Sequence, residues 1–198
     1  MWIDQKFVVI EKILKDENGS LLDLGSRDQI LKKFLPEKIV YTGVDISENK
    51  DTNNIIFDLN KNFNFDNESF DFITALDVVE HLDDPKTFLK ECLRVTKKKV
   101  FINLPNISYY ASRFHFFLKG NLGSKYHFSG DNKDDRHKWF TNFYLVKNFF
   151  EKNSVNFEIK TVIKQRNKLK PLFYLEEKLA KFFPNLFSWS FLITINKN

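Results

Sequence analysis

Four aspartates stand where a single nucleoside-like ligand would need them: Asp23, Asp45, Asp58 and Asp77, each at the end of a short apolar run. Asp45 lies 22 positions beyond Asp23. A carboxylate about 20 residues past a glycine turn, at the end of a second strand, can accept both hydroxyl hydrogens of a ribose. The alternative is a plain turn cap, since Ser47 and Glu48 follow. The glycine turn itself reads LLDLGSRDQ, and Gly25 follows the acid as a tight turn requires. Arg27 and Gln29, however, stand where such loops often place further glycines. A second group is Glu80-His81, directly after the fourth apolar run. Histidine titrates near neutrality, so His81 is the candidate general base, the alternative being that the Glu-His pair braces the turn. Asp77, Glu80 and His81 together offer ligands to a cation, but the reading assigns no metal. A third group, His127, Arg136, His137 and Trp139, falls in a polar stretch containing DDRHKWF. It suits the grip of a polar or acidic substrate, or else a solvated loop anchored by Trp139 and Phe140.

The elements that must position these groups follow from periodicity. Residues 5–15 carry Phe7, Ile10, Ile13 and Leu14 at helical spacing. Apolar runs at 20–24, 39–44, 54–57, 70–76 and 99–104 read as strands. Between them lie a short helix over 30–34, stopped by Pro36, and a longer one opened by Asp84 and Pro85, with Phe88, Leu89, Cys92 and Leu93 turned inward. Strand-helix alternation of this kind predicts a parallel sheet covered on both faces, with ligands at the carboxyl ends of the strands. Further on, 108–118 reads as a helix with an aromatic face (Tyr109, Tyr110, Phe114, Phe117), 120–138 as a long loop, 143–150 and 170–183 as helices, and 155–164 and 191–195 as strands.

The segments LLDLGSRD, YTGVDIS, IIFDLN, FDFITALDVVEHLDDP and KKVFINLPN, in this order over residues 18–106, resemble the class I S-adenosylmethionine-dependent methyltransferases. Among these, the resemblance is nearest to a small group whose fourth strand is followed by an acid-x-x-Glu-His run. It implies an α/β, Rossmann-like, doubly wound seven-strand mixed sheet. The last strand would be antiparallel and inserted near the sixth. It implies S-adenosylmethionine as cofactor: Asp23, Gly25, Ser26 and Arg27 around its methionine part, Asp45 on the ribose, and Ile46 on the adenine. Asp58, with Leu59, would meet the adenine amino group, and Asp77, with Val78, would lie near the cofactor's ammonium. The chain then reads as one domain, 1–198, with a substrate-side insertion at 107–140 and a helical insertion at 165–190 before the last strand. Only the first glycine of the family's loop is present, which leaves a non-catalytic binding or scaffold module as the alternative. An NAD-type oxidoreductase would need a loop richer in glycine.

Composition narrows the partners. The excess of 31 Lys+Arg over 26 Asp+Glu is small and scattered, so no strong nucleic-acid signal exists. The expected acceptor is a small molecule or a sugar- or lipid-linked intermediate, methylated on oxygen or nitrogen. A single cysteine, Cys92, and a charged N-terminal stretch without a signal-peptide core point to a cytoplasmic setting. The stretch 169–189 mixes apolar residues with Lys170, Lys178 and Lys181; it suits packing on the domain's own core, a lid over the substrate, or contact with a membrane surface or another subunit.

Overall fold

The computed structural model describes residues 4–122, 124–126, 136–153, 155–164 and 170–197. Its elements run α1 (Gln5–Leu14), β1 (Gly19–Leu24), a 3-10 turn (Ile30–Phe34), β2 (Ile39–Asp45), β3 (Ile55–Ile56), β4 (Phe70–Leu76), a 3-10 turn (Val79–His81), α2 (Pro85–Val95) and β5 (Thr96–Pro105). Then come α3 (Tyr110–Lys119), a 3-10 turn (Ser124–Tyr126), α4 (Phe143–Lys152), β6 (Phe157–Val162), α5 (Lys170–Phe182), α6 (Pro184–Phe187) and β7 (Ser190–Asn196). The seven strands order β3-β2-β1-β4-β5-β7-β6. The first five are mutually parallel, and β7 runs antiparallel between β5 and β6.

Adjacent residues of each central strand feed opposite faces. Leu22, Ile73, Ile102 and Ile193 join a core that holds Phe88, Leu89 and Cys92 of α2 and Val146 and Phe150 of α4. Leu21, Phe72, Phe101 and Leu192 join a second core with Ile10 and Leu14 of α1. A two-residue side-chain period with both phases apolar is what a sheet covered on both faces requires. The α2 start is as the sequence predicts: the Asp84 carboxylate accepts from the amides of Lys86 and Thr87, and Pro85 fills the first turn.

The third strand shrinks to Ile55–Ile56, both exposed, because β3 is a sheet edge that pairs only with the end of β2. The helix after β5 begins at Tyr110 rather than Ser108, and its aromatic residues divide between core and solvent. Tyr109 is fully buried just before α3, whereas Phe114 and Phe117 face solvent at 63% and 83% exposure. Helical spacing shows that a stripe exists, not that it has a partner.

Strand order reverses at β1, which lies between β2 and β4. The crevice outside that reversal is where open α/β sheets bind ligands. It is formed by the segment after β1, the end of β2 and the segment after β4.

Candidate functional site

Gly25 turns the chain off β1 with φ of 73°, and a Cβ there would sit 2.3 Å from Val78 Cγ2. Only glycine satisfies both the left-handed conformation and the close approach of Val78. The amides of Gly25 and Ser26 both donate to the Val44 carbonyl, at 2.8 and 2.9 Å, tying the turn to β2. Arg27 and Gln29 also adopt left-handed φ, 47° and 52°. The backbone of a glycine-rich loop is thus kept at the two positions where the glycines are missing, at a cost of about 1 kcal/mol each. Asn54 holds it in place. Its carbonyl accepts from Ser26 Oγ and Gln29 Nε2, both at 2.8 Å, and its amide donates to the Arg27 carbonyl at 2.8 Å. Gly43 makes the room: a Cβ in its place would lie 2.5 Å from Asn54 Oδ1. A glycine inside a strand was the sequence signal for this close approach, and Asn54 escaped the sequence reading.

The predicted acids gather along this edge. Asp45 is buried at the end of β2; its Oδ2 accepts from the Arg27 amide at 2.9 Å, and its Oδ1 from the Ser47 amide and hydroxyl. Its turn-cap role and its place beside the loop are therefore both real, and each oxygen retains acceptor capacity. Ile46 next to it is 66% exposed, an uncovered apolar surface beside that carboxylate. Asp58 accepts from the Asn60 amide and side chain, two residues past β3, and Leu59 is buried in the core. Asp23 sits deeper, 4% exposed, and accepts from Tyr41 Oη and Thr74 Oγ1, both at 2.7 Å. Burial pushes its carboxyl up to about 6 despite those two donors. Asp77 follows β4 in left-handed conformation, φ 59°. It pairs with Lys6 Nζ of α1 and accepts from Asn103 Nδ2 of β5. Lys6 also reaches Asp4 at 3.2 Å, and the two carboxylates raise its pKa against the opposing effect of burial. An ammonium already rests on Asp77, the same chemical group that the cofactor's amino acid part carries. Asp77 is thus already engaged by Lys6 and Asn103.

Two separate sequence groups meet at the turn after β4. The segment 136–139 is stitched to 80–82: His81 Nδ1 lies 3.0 Å from the Arg136 carbonyl, the Lys138 and Trp139 amides donate to the Glu80 carbonyl, and Trp139 Nε1 donates to the Leu82 carbonyl at 2.7 Å. This brings the His81 and His137 rings to 4.7 Å, edge to face. Between them Glu80 is 1% exposed; its Oε1 lies 4.0 Å from His81 Nε2 and 3.9 Å from His137 Nε2, and neither carboxyl oxygen has a hydrogen-bond partner among the described residues. Burial, reinforced by Asp77, pushes Glu80 up to about 8. His137 Nδ1 meets Tyr126 Oη at 2.8 Å, and burial with Glu80 raises that phenol to about 12. Because a carbonyl only accepts, Arg136 fixes Nδ1 of His81 as a donor and places the lone pair on Nε2. One ligand atom each from Glu80, His81 and His137 lie within 4.8 Å of one another, a set able to hold a cation. The sequence triple for a cation was Asp77, Glu80 and His81; Asp77 is instead turned to Lys6 and Asn103.

A pocket of about 300 Å³ opens beside these groups; polar side chains of Lys6, Asp77, Glu80, Asn103, Tyr126 and His137 share its wall with apolar surface from Pro105, Ile107, Leu122 and Trp189. Glu80 also forms part of the wall of an apolar cavity of about 210 Å³ under Trp139 and Phe140. Of the predicted substrate residues, His137 therefore faces the first of these pockets, Arg136 contributes its carbonyl to His81, and Trp139 covers the apolar cavity. His127 lies outside the described residues.

The strand order, the antiparallel seventh strand and the acid-lined reversal point define a Rossmann-like methyltransferase fold. The sequence profile of a family described as "Methyltransferase domain" matches residues 6–152, and the chain belongs to that family. The family's description makes the chain a methyltransferase. The fold is shared with an S-adenosylmethionine-dependent methyltransferase from Archaeoglobus fulgidus, at 18% identity and TM-score 0.60, over 96% of this chain and 94% of that one. It is shared with a methyltransferase from Bacillus halodurans at 12% identity and TM-score 0.56, over 98% and 99%. It is also shared with the small RNA methyltransferase HEN1, at 17% identity and TM-score 0.63, where 98% of this chain covers 25% of that protein. No curated protein matches the sequence significantly.

Proposed function

We propose that the chain methylates an oxygen or nitrogen of a small molecule, or of a sugar- or lipid-linked intermediate, bound in the pocket beyond Asp77. The observation that supports it is the junction of two sites: the Asp45–Arg27 loop edge at the strand reversal, and a pocket that carries Asp77, Lys6 and His137 next to it. When bound, S-adenosylmethionine supplies a methyl group on a sulfonium sulfur. Asp45 would accept from ribose hydroxyls, Ile46 would cover the adenine, and Asp77 would hold the ammonium. The acceptor's proton passes to the histidine cluster, with the lone pair of His81 on Nε2 and the His137 ring on the pocket side. Placement of the acceptor against the donor accounts for much of the acceleration in such a site. The pocket, with Lys6, Lys125 and His137 in its wall, suits an acceptor bearing polar or anionic groups.

A second reading applies to the cluster alone. Two buried carboxyl oxygens without a hydrogen-bond partner among the described residues, beside two imidazoles, also fit a divalent cation held by Glu80, His81 and His137. A cation there would orient an acceptor oxygen and lower its pKa.

Titration calorimetry with S-adenosylhomocysteine tests the cofactor half. Micromolar binding that Asp45→Ala weakens by at least about tenfold is expected. Binding indifferent to Asp45 would refute the assignment. Acceptor panels grouped as phenols, sugars, polyprenyl-linked and ribonucleotide compounds test the substrate half. Metal analysis after dialysis against a chelator and then Mn²⁺, Zn²⁺ or Mg²⁺ separates the two readings of the cluster: one equivalent retained by the native protein and lost in His137→Ala supports the cation.

A further inference from the structure

Lys6 stands where a lysine is least favoured. It is the second residue of α1, in the first turn, where the helix dipole opposes a cation. It is also only 8% exposed, and lysines are almost never buried to that degree unless they are paired. Its partners are Asp4, which caps the helix and lies 3.2 Å away, and Asp77, 71 positions further on. Asp77 is unusual in its turn. It holds a left-handed φ of 59°, a conformation that costs free energy in any residue but glycine and that recurs at ligand clamps. The disfavoured lysine and the disfavoured aspartate meet in the wall of one pocket, which both line together with Asp4.

The pair retains capacity for a ligand. Asp4 and Asp77 take two of the three hydrogens of the Lys6 ammonium. The Asp77 side chain is 40% exposed; its Oδ1 accepts from Asn103 and its Oδ2 from Lys6, so each oxygen keeps a lone pair. The position adjoins the loop after β1, because Val78, the next residue, is the side chain that a Cβ at Gly25 would strike. Charge decides what fits. A purely anionic group would meet Lys6 but face Asp4 and Asp77 as well, and a purely cationic one would be repelled by Lys6. An α-amino acid, with ammonium and carboxylate on one carbon, meets an opposite charge with each of its own.

We propose that Lys6 and Asp77 form a clamp for the amino acid end of S-adenosylmethionine, with Asp77 on the ammonium and Lys6 on the α-carboxylate. This clamp rests on the reading of the crevice as the cofactor site, and it adds to that site a residue from α1. The Lys6–Asp77 ion pair is kept when the ligand binds, and Asp4 keeps Lys6 turned toward the crevice. Lys125 and His137 are left to the acceptor.

Titration calorimetry of the full chain tests the clamp without methyl transfer. The probes are S-adenosylhomocysteine and S-adenosyl-3-thiopropylamine, which lacks only the α-carboxylate. The native protein should prefer S-adenosylhomocysteine at least about tenfold, and Lys6→Met should reduce that preference to about twofold or less. A ratio of two affinities on one variant cancels any general loosening of α1, and an unchanged circular dichroism spectrum confirms folding. Native protein that binds both compounds equally overturns the clamp whether or not the variant folds. So does a Lys6→Met variant that keeps the native preference, or one that binds S-adenosylhomocysteine more tightly than the native protein, since Lys6 would then compete for Asp77. With S-adenosylhomocysteine still bound in an Asp45-dependent manner, these results remove Lys6 alone; absence of any binding to the native protein removes the cofactor reading as well.

Discussion

Asp23→Asn should stabilise the protein above pH 6 while leaving it nearly unchanged near pH 4. The Asp23 carboxyl is buried near the end of β1, and that burial pushes it up to about 6, against an ordinary value of 3.8. Burial is the main cause; the nearby Asp45 charge adds to it, and Thr74, Tyr41 and Lys6 oppose it. The sign follows from linkage. As pH rises from 3.8, the unfolded chain ionises first while the native state still holds its proton, so native stability falls through the window between about 4 and 6. Above 6 the loss is complete, and a shift of about two units corresponds to about 3 kcal/mol. Asparagine carries no charge to desolvate. Its carbonyl still accepts from one hydroxyl, and its amide can donate to the other once that hydroxyl rotates, so the exchange costs about 1 kcal/mol or less at low pH. Urea unfolding followed by tryptophan fluorescence at pH 4 and pH 8 measures the difference. The stability gap between variant and wild type should move toward the variant by about 2–3 kcal/mol across that range. A gap independent of pH would show that Asp23 is ionised in the native state at pH 4, and the electrostatic account of the strand end would be wrong. An accompanying loss of S-adenosylhomocysteine affinity would mark Asp23 as a group kept for the ligand at the expense of the fold.

Gly25→Ala should abolish cofactor binding in calorimetry and lower the melting temperature, since the added methyl meets Val78 Cγ2 at 2.3 Å in a left-handed turn. Asn54→Ala should cost about 2 kcal/mol in urea unfolding and weaken cofactor binding, because three hydrogen bonds that hold the loop at 26–29 are lost together. Cys92 is fully buried in the core under α2, and burial pushes its thiol well up. It should resist a thiol reagent such as DTNB in the native protein and react as one equivalent in urea.

The parts of the fold legible in sequence were those that residue type alone decides. Leu21 to Leu24 reads as a strand because three of its four positions are apolar, and the structure buries Leu21, Leu22 and Leu24 on two faces. Asp84-Pro85 reads as a helix start because both residues act locally. The carboxylates at the strand ends were legible because strand ends are. What escaped depends on contacts between distant segments. Lys6 reaches Asp77 across 71 positions. His81 meets His137 only because the Arg136 carbonyl and the Trp139 indole dock on the turn after β4. The two motifs were each visible, but nothing in their spacing shows that they share one buried glutamate.

The glycine-poor loop carries the sharpest lesson. Arg27 and Gln29 in place of glycine appear to argue for a lapsed site, since a side chain disfavours the left-handed turn. The structure keeps that turn at both positions. Two strained residues at about 1 kcal/mol each persist only where the surroundings over-determine them. Here the surroundings are Asn54 on three sides of the loop and the Asp45 carboxylate on the Arg27 amide. Glycine loops reach this shape by steric permission; this one reaches it by hydrogen bonding, and Gly43 in the neighbouring strand supplies the space. A scaffold that had lost its ligand would gain stability by letting residues 27 and 29 relax and Asn54 drift. The strained shape is instead held beside an intact Asp45, so the missing glycines remove the premise of the non-catalytic reading rather than supporting it.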